Sequence, residues 1–575
     1  MRVLVFFGAL LLGVAWLLPG HYFPWLTFQQ EFAALLGAAL IAGPAWLPRA
    51  AKVQWPWLSL TVLAAAGVPL LQLAFGQIRF VSDALVSSGY LAATGISIAA
   101  GATLVRRNGG ELVGSMFIAL VAAAFLSTGM ALMEWQDVGI GLWVEAARPG
   151  GRLTANLAQP NHFATALAIG ISGLLLAYER RRVGGVGTTI GIAFLGFGMV
   201  MSQSRTGWLF VAVLGLWLLL MRRRASLRVS PLAVMVGLAL FVAAIAAWAP
   251  LNDAMLLARQ VSPADLVAKR GLRLIHWQVM LDAAWRKPWF GYGWTQAVLG
   301  QEAAVLDHPF TGEVLNSSHN VLMDLLIWNG IPLGALFIAG LGWWFARQLV
   351  ICRTAERVCL VAALGAIFLH GLLEYPLEYA YFLMPAGLLM GTLDGLAPAA
   401  PSVELPRVAM AIPSLVLCTL LAWVGAEYVK VDEAGRVMRF VAMGIGLDRV
   451  ADAPEPEVTL LDRPRNLHRF MLMPAHRSAD PGYLDWVRDV ATRNPMAPAM
   501  LRHALAAGLN GHAQEARNVL ARLCRMHSAE HCLEGKSSWI QLQKIHPELR
   551  DIAPPELPAG SVPVPHGELA ARDSN

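Results

Sequence analysis

The chain has 575 residues, of which 57% are hydrophobic and only 14% charged, and its mean hydropathy of +0.54 excludes a soluble globular protein. Apolar runs of about 17–25 residues, each long enough to cross a hydrocarbon layer of roughly 30 Å as a helix, recur from Val3 to about Tyr428 and predict an all-α polytopic membrane protein. The formal net charge of +6 comes from arginines gathered in alternate loops, which is an orientation signal and gives no reason to propose a nucleic-acid partner.

In chain order, the spans are expected at 3–18, 31–47, 57–75, 84–104, 112–134, 161–178, 186–202, 207–221, 231–250, 319–345, 358–374, 379–396 and 408–428, about thirteen in all. The first is expected to be retained, because the Pro19-Gly20-His21-Tyr22 stretch after it offers no small-x-small cleavage site. With Arg2 inside, the loops carrying Arg49 and Lys52, Arg106 and Arg107, Arg180 to Arg182, Arg222 to Arg228, Arg347 to Arg357, and Arg407 all fall on one side. An odd count then places the C-terminus outside.

Two outside segments are too long to be connectors: a loop at 251–318 and a tail that begins near Val429. Composition shifts at Lys430 to charged residues, Pro and His, so the expected division is a membrane domain at 1–430, a helical domain at 431–549 and a disordered segment at 550–575. Within the tail, apolar positions recur at three- and four-residue spacing over 483–524, and Ala504, Gly508, Ala516 and Leu520 resemble a tetratricopeptide helical hairpin. Cys352, Cys359 and Cys418 read as small apolar residues of the membrane part; Cys524 and Cys532 lie close enough in the tail either to pair as a disulfide or to remain two thiols. No Cys/His spacing suggests zinc, no phosphate-binding glycine loop is present, and no Asp-x-Asp pair sits at a membrane edge, so chemistry without metal or cofactor is expected.

Polar side chains cluster where spans meet the outer side. QPNH supplies Gln159, Asn161 and His162, and SQSR places Arg205 between two apolar runs with almost no loop. An arginine at that depth is costly and marks a functional candidate. The loop run KRGLRLIHWQVMLDAAWRKPWFGYGW sets Arg270, Arg273, His276 and Trp277 at helical spacing, suited to lipid headgroups or to a phosphate group. SSHN then opens the tenth span, and HGLLEYPLEYAYF contributes Glu374, Tyr375, Glu378, Tyr379 and Tyr381 from the same side. Ser317 and Ser318 are expected to cap that span, with His319 in its first turn and Asn320 beside it.

The order QPNH, SQSR, an Arg- and Trp-bearing loop ending PWFGYGW, and SSHN before a Gly-Ile-Pro-Leu-Gly helix resembles the Wzy/WaaL O-antigen ligase superfamily of bacterial inner-membrane glycosyltransferases. More narrowly, HYFPWLTFQQEFAA, VPLLQLAFGQIRFVSD and LAQPNHFATAL resemble the PglL-type protein O-oligosaccharyltransferases. The resemblance implies a multi-pass protein of the inner membrane that transfers a glycan preassembled on undecaprenyl pyrophosphate to a hydroxyl in the periplasm. In the PglL-type branch the acceptor is a Ser or Thr of a pilin-like or other exported protein; in the other branches it is lipid A–core sugar or another repeat unit. It also implies that His319 is the catalytic histidine and that Gln159 and one tyrosine, Tyr375 or Tyr379, matter.

Pyrophosphate is already a good leaving group, so such an enzyme must neutralise growing negative charge and aim a hydroxyl. Guanidinium groups suit the first task, and Arg205, Arg270, Arg273 and, as a fourth, Arg79 are the candidates. His319 is the candidate base. Gln159, Asn161, His162, Asn320, Tyr375 and Tyr379 are candidates to orient the substrate, and the apolar groove between spans is expected to hold the lipid chain. The rival reading, a transporter of lipid-linked glycan, would need polar groups near the midplane and repeated halves. The clusters sit instead at one rim.

Overall fold

The computed structural model of the chain describes residues 2–48, 52–141, 143–144, 151–255, 272–398, 401–442 and 455–558. Among these described residues it is all-α apart from one two-stranded ribbon, Lys52–Pro56 paired antiparallel with Ser402–Pro406. The ribbon joins two short connectors on the arginine-rich side and buries Trp55. Five-residue strands inside charged loops leave no periodic signal, which is why the sequence reading has only helices.

Every expected span contains helix. Among the described residues, seven are long and apolar enough to cross a membrane: Trp57–Ala74, Val81–Asn108, Glu111–Trp135, Pro160–Glu179, Pro231–Ala254, Ile331–Val350 and Val408–Phe440. Arg2–Val14, Gly185–Met201 and Arg205–Met221 are shorter apolar helices. Others fall short for visible reasons: Ala355–Gly371 and Ala380–Gly395 have 17 and 16 residues, and Phe28–Trp46 carries Gln29, Gln30 and Glu31.

Two expected spans are broken. The third divides into Trp57–Ala65 and Gly67–Ala74, where Pro69 removes a backbone donor from the new first turn. The tenth divides at Gly330, which has φ 78° and sits against the Trp289 backbone, where a Cβ would meet the Trp289 carbonyl carbon at 2.4 Å. Pro332 then starts Ile331–Val350 afresh. The outer piece, Val321–Asn329, is thereby freed to hold polar groups at an angle of its own.

Pro160–Glu179 is the axis of the bundle, with 89% of its apolar window buried. Around it pack Ala355–Gly371, Glu111–Trp135, Gly185–Met201 and Arg205–Met221. Beside that group, Ala380–Gly395 lies against Val81–Asn108 at backbone distance: a Cβ on Gly391 would stand 2.0 Å from the Ile98 carbonyl oxygen, and one on Gly101 2.5 Å from that of Leu388. In lipid, where apolar side chains gain nothing by leaving their solvent, such close backbone packing is a main source of helix association.

Outside the bundle, the tail helices Asp462–Leu472, Gly482–Arg493, Ala497–Leu509, Ala513–Met526 and Ala529–Ile545 form one body with the loop helices Arg273–Arg286 and Ala297–Ala304. Ala497–Leu509 and Ala513–Met526 make the hairpin, turning at Gly511 with φ 82°. Loop residues Val298 and Val305 share its core with Ala504, Ala516 and Leu520. The body is clamped to the membrane part by a buried ion cluster, Asp83 with Arg493 at 2.6 Å and Arg463 at 3.0 Å. Asp462 also accepts from the Val81 and Ser82 amides, capping a membrane helix from the tail. Cys524 and Cys532 are disulfide-bonded, with Cα atoms 4.7 Å apart.

Two elements cross the expected boundaries. Val408–Ala442 is one helix running past Lys430, because the change to polar composition does not interrupt helical propensity. The segment after Leu549, expected to be disordered, continues in order to Pro558: Ile552 is buried on the hairpin and its carbonyl accepts from Trp539 Nε1 at 3.0 Å. The rest of 550–575 lies outside the described residues.

The contact at Gly391 sets a test. Gly391→Val forces a side chain into the Ile98 backbone and is expected to lower the Tm of the detergent-solubilised protein by at least about 5 °C, whereas Gly365→Val, with nothing within 4 Å of its Cβ position, stays near wild type. Fluorescence-detected thermal unfolding of both variants measures the difference.

Candidate active site

The SSHN segment folds around Asp324. Ser317 Oγ donates to Asp324 Oδ2 at 2.6 Å, the Ser318 amide donates to Oδ1 at 2.8 Å, and the His319 amide donates to Ser317 Oγ at 3.1 Å. Trp277 Nε1 fixes the Ser318 carbonyl at 3.1 Å. The helix cap is neither serine but Asn320, whose Oδ1 accepts from the Leu322 and Met323 amides at 3.0 and 3.3 Å while its Nδ2 donates to Leu372 O at 3.1 Å. This capping engages both ends of the Asn320 side-chain amide with the protein. It also moves His319 out of the first turn: the residue stands two positions before the helix with φ 56°, a left-handed conformation rare outside glycine and one that surrounding contacts must enforce.

Glu374, 55 residues further on, meets the imidazole. Its Oε2 lies 2.5 Å from His319 Nδ1, and its Oε1 pairs with the Arg273 guanidinium and accepts from Asn161 Nδ2 at 3.3 Å. Burial alone would raise the Glu374 pKa; the His319 hydrogen bond and the charges of His319 and Arg273 outweigh it and hold the carboxyl below its usual range. A carboxylate at Nδ1 assigns a proton there, which in the neutral ring leaves the lone pair on Nε2. Sequence reading grouped Glu374 with the other polar clusters and gave it no role, because no local pattern links residues so far apart.

Tyr375 packs edge-on against His319, ring centroids 5.1 Å apart, while Tyr379 packs on His162 at 4.8 Å. Tyr375 is therefore the tyrosine in contact with the histidine. Its hydroxyl pKa is raised, first by burial and then by the charges of Glu374 and Glu378, so it remains protonated. His162 is 3% exposed and hydrogen-bonded with the Tyr381 hydroxyl at 3.0 Å, and it lines the same cavity as Gln159 and Asn161. Gln159 caps Pro160–Glu179 by accepting from the His162 amide at 3.2 Å. Asn161 links two clusters, accepting from Ser204 Oγ at 2.7 Å and donating to Glu374.

Arg205 is the first residue of Arg205–Met221, capped by Ser204, and Arg273 is the first of Arg273–Arg286. A further cation, Arg152, was missed although it lies only seven positions before Gln159 of QPNH. Its pKa is lowered by burial, with Glu374 opposing and the charges of Arg205 and Arg273 adding to the effect, so all three guanidiniums act on one locality. Arg79 is elsewhere, paired with Asp489 of the tail at 3.7 Å. Arg270 lies outside the described residues. His276, one turn along from Arg273, has its ring 6.5 Å from that of His319; burial and then the charges of His319 and Arg273 push its pKa down to about 4, so it is neutral at physiological pH.

Arg152, Gln159, Asn161, Arg205, Arg273, His319, Glu374 and Tyr375 all line one cavity of about 2710 Å³. At one end it is walled by the tail and the outer loop; at the other it follows Ile331–Val350 past Leu336, Phe337 and Leu341. A lone-pair nitrogen, a cluster of guanidiniums and an apolar extension thus share one space. This arrangement can remove a proton from a hydroxyl beside a group whose negative charge is increasing.

Comparison with known proteins agrees with this chemistry. Residues 190–338 match the O-antigen ligase family, and residues 358–538 match the C-terminal region of the virulence factor membrane-bound polymerases. The chain is 31% identical over 446 residues to a general O-oligosaccharyltransferase of Acinetobacter baylyi, covering 74% of this chain and 76% of the relative. It is 27% identical over 392 residues to a ComP-specific O-oligosaccharyltransferase of the same organism, covering 67% and 70%. No solved structure gives a significant match. A transporter reading has no counterpart in these relationships, and the chain belongs to the PglL-type O-oligosaccharyltransferases, membrane glycosyltransferases of the O-antigen ligase superfamily.

Proposed function

We propose that this enzyme transfers a preassembled glycan from undecaprenyl pyrophosphate to Ser or Thr hydroxyls of exported, pilin-like proteins at the periplasmic face of the bacterial inner membrane. In this reading residues 1–430 form the membrane domain, with about thirteen membrane segments and the periplasmic loop 251–318; residues 431–549 form a periplasmic helical domain. The observation that carries the reading is His319 seated on Glu374 among arginines within a cavity that continues into an apolar groove. The family membership and the relative named for ComP support a protein acceptor.

In the mechanism, the polyprenyl chain lies along Leu336, Phe337 and Leu341, and the pyrophosphate rests among Arg152, Arg205 and Arg273. His319 Nε2 takes the acceptor's hydroxyl proton as its oxygen attacks the anomeric carbon. The bond from that carbon to the pyrophosphate oxygen breaks, and the guanidiniums hold the charge left on undecaprenyl pyrophosphate. Attack opposite the leaving group inverts the anomeric configuration. Glu374 orients the imidazole and offsets the positive charge it gains, as the third member does in other nucleophile–base–acid arrangements. Gln159 and Asn161 line the cavity beside Glu374, where Gln159 meets sugar hydroxyls and Asn161 holds the carboxylate. Asp324 acts one step further back, because it fixes Ser317 and through it the left-handed backbone of His319.

The decisive experiment is transfer by purified protein from lipid-linked glycan to an acceptor protein. His319→Ala is expected to bind donor as wild type does and to transfer about 10²–10⁴-fold more slowly; near wild-type turnover would remove His319 as the base. For Asp324, replacement by Ala releases Ser317 and the Ser318 amide together, and a shift of the ring by about 1 Å predicts a fall in kcat on the order of 10²-fold with donor affinity retained. Asp324→Asn, which keeps an acceptor oxygen, should recover part of that loss, and equal kcat in the Ala variant and wild type would mean that the carboxylate does not position the histidine.

A further inference from the structure

Two stretches without a task in this mechanism lie side by side along the outer part of the cavity: 310–316, which leads directly into SSHN, and 526–531, the junction between the tail helices Ala513–Met526 and Ala529–Ile545. They are fastened to each other. The Gly312 amide donates to Arg525 O at 3.2 Å, and Arg525 Nη1 donates to His308 O at 3.0 Å. The Cys524–Cys532 disulfide brackets the second stretch and pins its ends together. Within the first, Thr311 is 6% exposed, and its Oγ1 is buried against the cavity with no hydrogen-bond partner.

We propose that these two stretches are the wall on which the acceptor is read, and that they select an extended polypeptide segment of neutral or basic character. The proposal rests on the transferase reading above and specifies its acceptor. Continuity is the first argument. Gly312 is seven residues from His319, so a segment lying along the wall reaches the base within about 25 Å of extended chain.

The second argument is chemical. Apolar Phe310, Val314 and Met526 are interleaved with Thr311, Asn316 and Ser528, a pattern that suits a polypeptide with side chains and backbone groups to satisfy. Charge is the third. The two stretches contain Glu313, 3.5 Å from His276, and Glu530, together with His527 and His531. Their one neighbouring arginine, Arg525, engages its guanidinium with the His308 carbonyl, whereas Arg152, Arg205 and Arg273 gather around Glu374. The cavity is therefore polarised, cationic where pyrophosphate would sit and acidic where the acceptor would enter. A phosphorylated glycolipid acceptor meets like charge at that wall, and a Lys-bearing peptide meets opposite charge.

The test uses the full-length protein in vesicles with lipid-linked glycan. Two probes are exported carrier proteins ending in the same Ser-containing tag, flanked by Lys in one and by Glu in the other; a phosphorylated lipid A–core glycolipid is the third. Wild type is expected to favour the Lys-flanked tag by about three- to tenfold in kcat/KM through acceptor KM. Glu530→Lys should reverse the preference, and Glu530→Gln, which preserves size if the reversal disturbs folding, should bring the ratio near one. The same ratio in wild type and both variants overturns the wall while leaving protein glycosylation intact, because glycan still reaches the tags. Transfer by wild type to the glycolipid and to neither tag overturns both.

Discussion

A carboxylate buried at a membrane edge is tolerated only if its charge is met on every side, and Glu374 satisfies that condition with groups from three other segments. His319 comes from the loop before Val321–Asn329, Arg273 from the start of the loop helix, Asn161 from the start of the most buried span, and the glutamate itself from the turn after Ala355–Gly371. Each partner is held in turn by its own neighbours: Asn161 by Ser204, and the His319 backbone by Ser317 and Asp324. The polar residues at the ends of apolar runs are thus one network centred on the Glu374 carboxylate. Its electrostatics follow from that centre, since the positive groups that surround it are also the groups that can receive a pyrophosphate.

The bundle is arranged so that this network is both rigid and accessible. Pro160–Glu179 brings QPNH to the outer rim from inside the core, and the break at Gly330 tilts Val321–Asn329 independently of the long helix that follows. The external body closes the space from above. Its ion cluster on Asp83 and its shared core with Val298 and Val305 make loop and tail a single wall, so the histidine lies between lipid-facing helices and a water-facing domain. That position suits a reaction between a donor carried in the membrane and an acceptor carried in solution.

Much of this was legible in the sequence. Apolar length identifies the helices, and the motifs QPNH, SQSR and SSHN announce themselves because polar side chains at the mouth of an apolar run are expensive unless used. What the sequence withholds is pairing across distance. Glu374 and His319 are 55 residues apart, and nothing local distinguishes Glu374 from Glu378. Asn320 and Ser317 look interchangeable as caps until the backbone turns left-handed at His319. Arg152 is hidden by an ordinary Gly- and Pro-bearing loop, while Arg79, equally basic, belongs to the tail interface. The helix through Lys430 likewise shows that composition marks where a chain leaves lipid and not where its backbone breaks.

If Glu374 serves the reaction by holding His319, the two residues act as a unit and their losses cannot multiply. The most direct measurement is a double-mutant cycle on the single-turnover rate of glycan transfer, with Glu374→Gln introduced into wild type and into His319→Ala. The account predicts a loss of about 10²-fold or more in wild type and less than about threefold in the His319→Ala background. An equal loss in both backgrounds would show that Glu374 and His319 contribute independently, and would contradict the coupling on which the site is built.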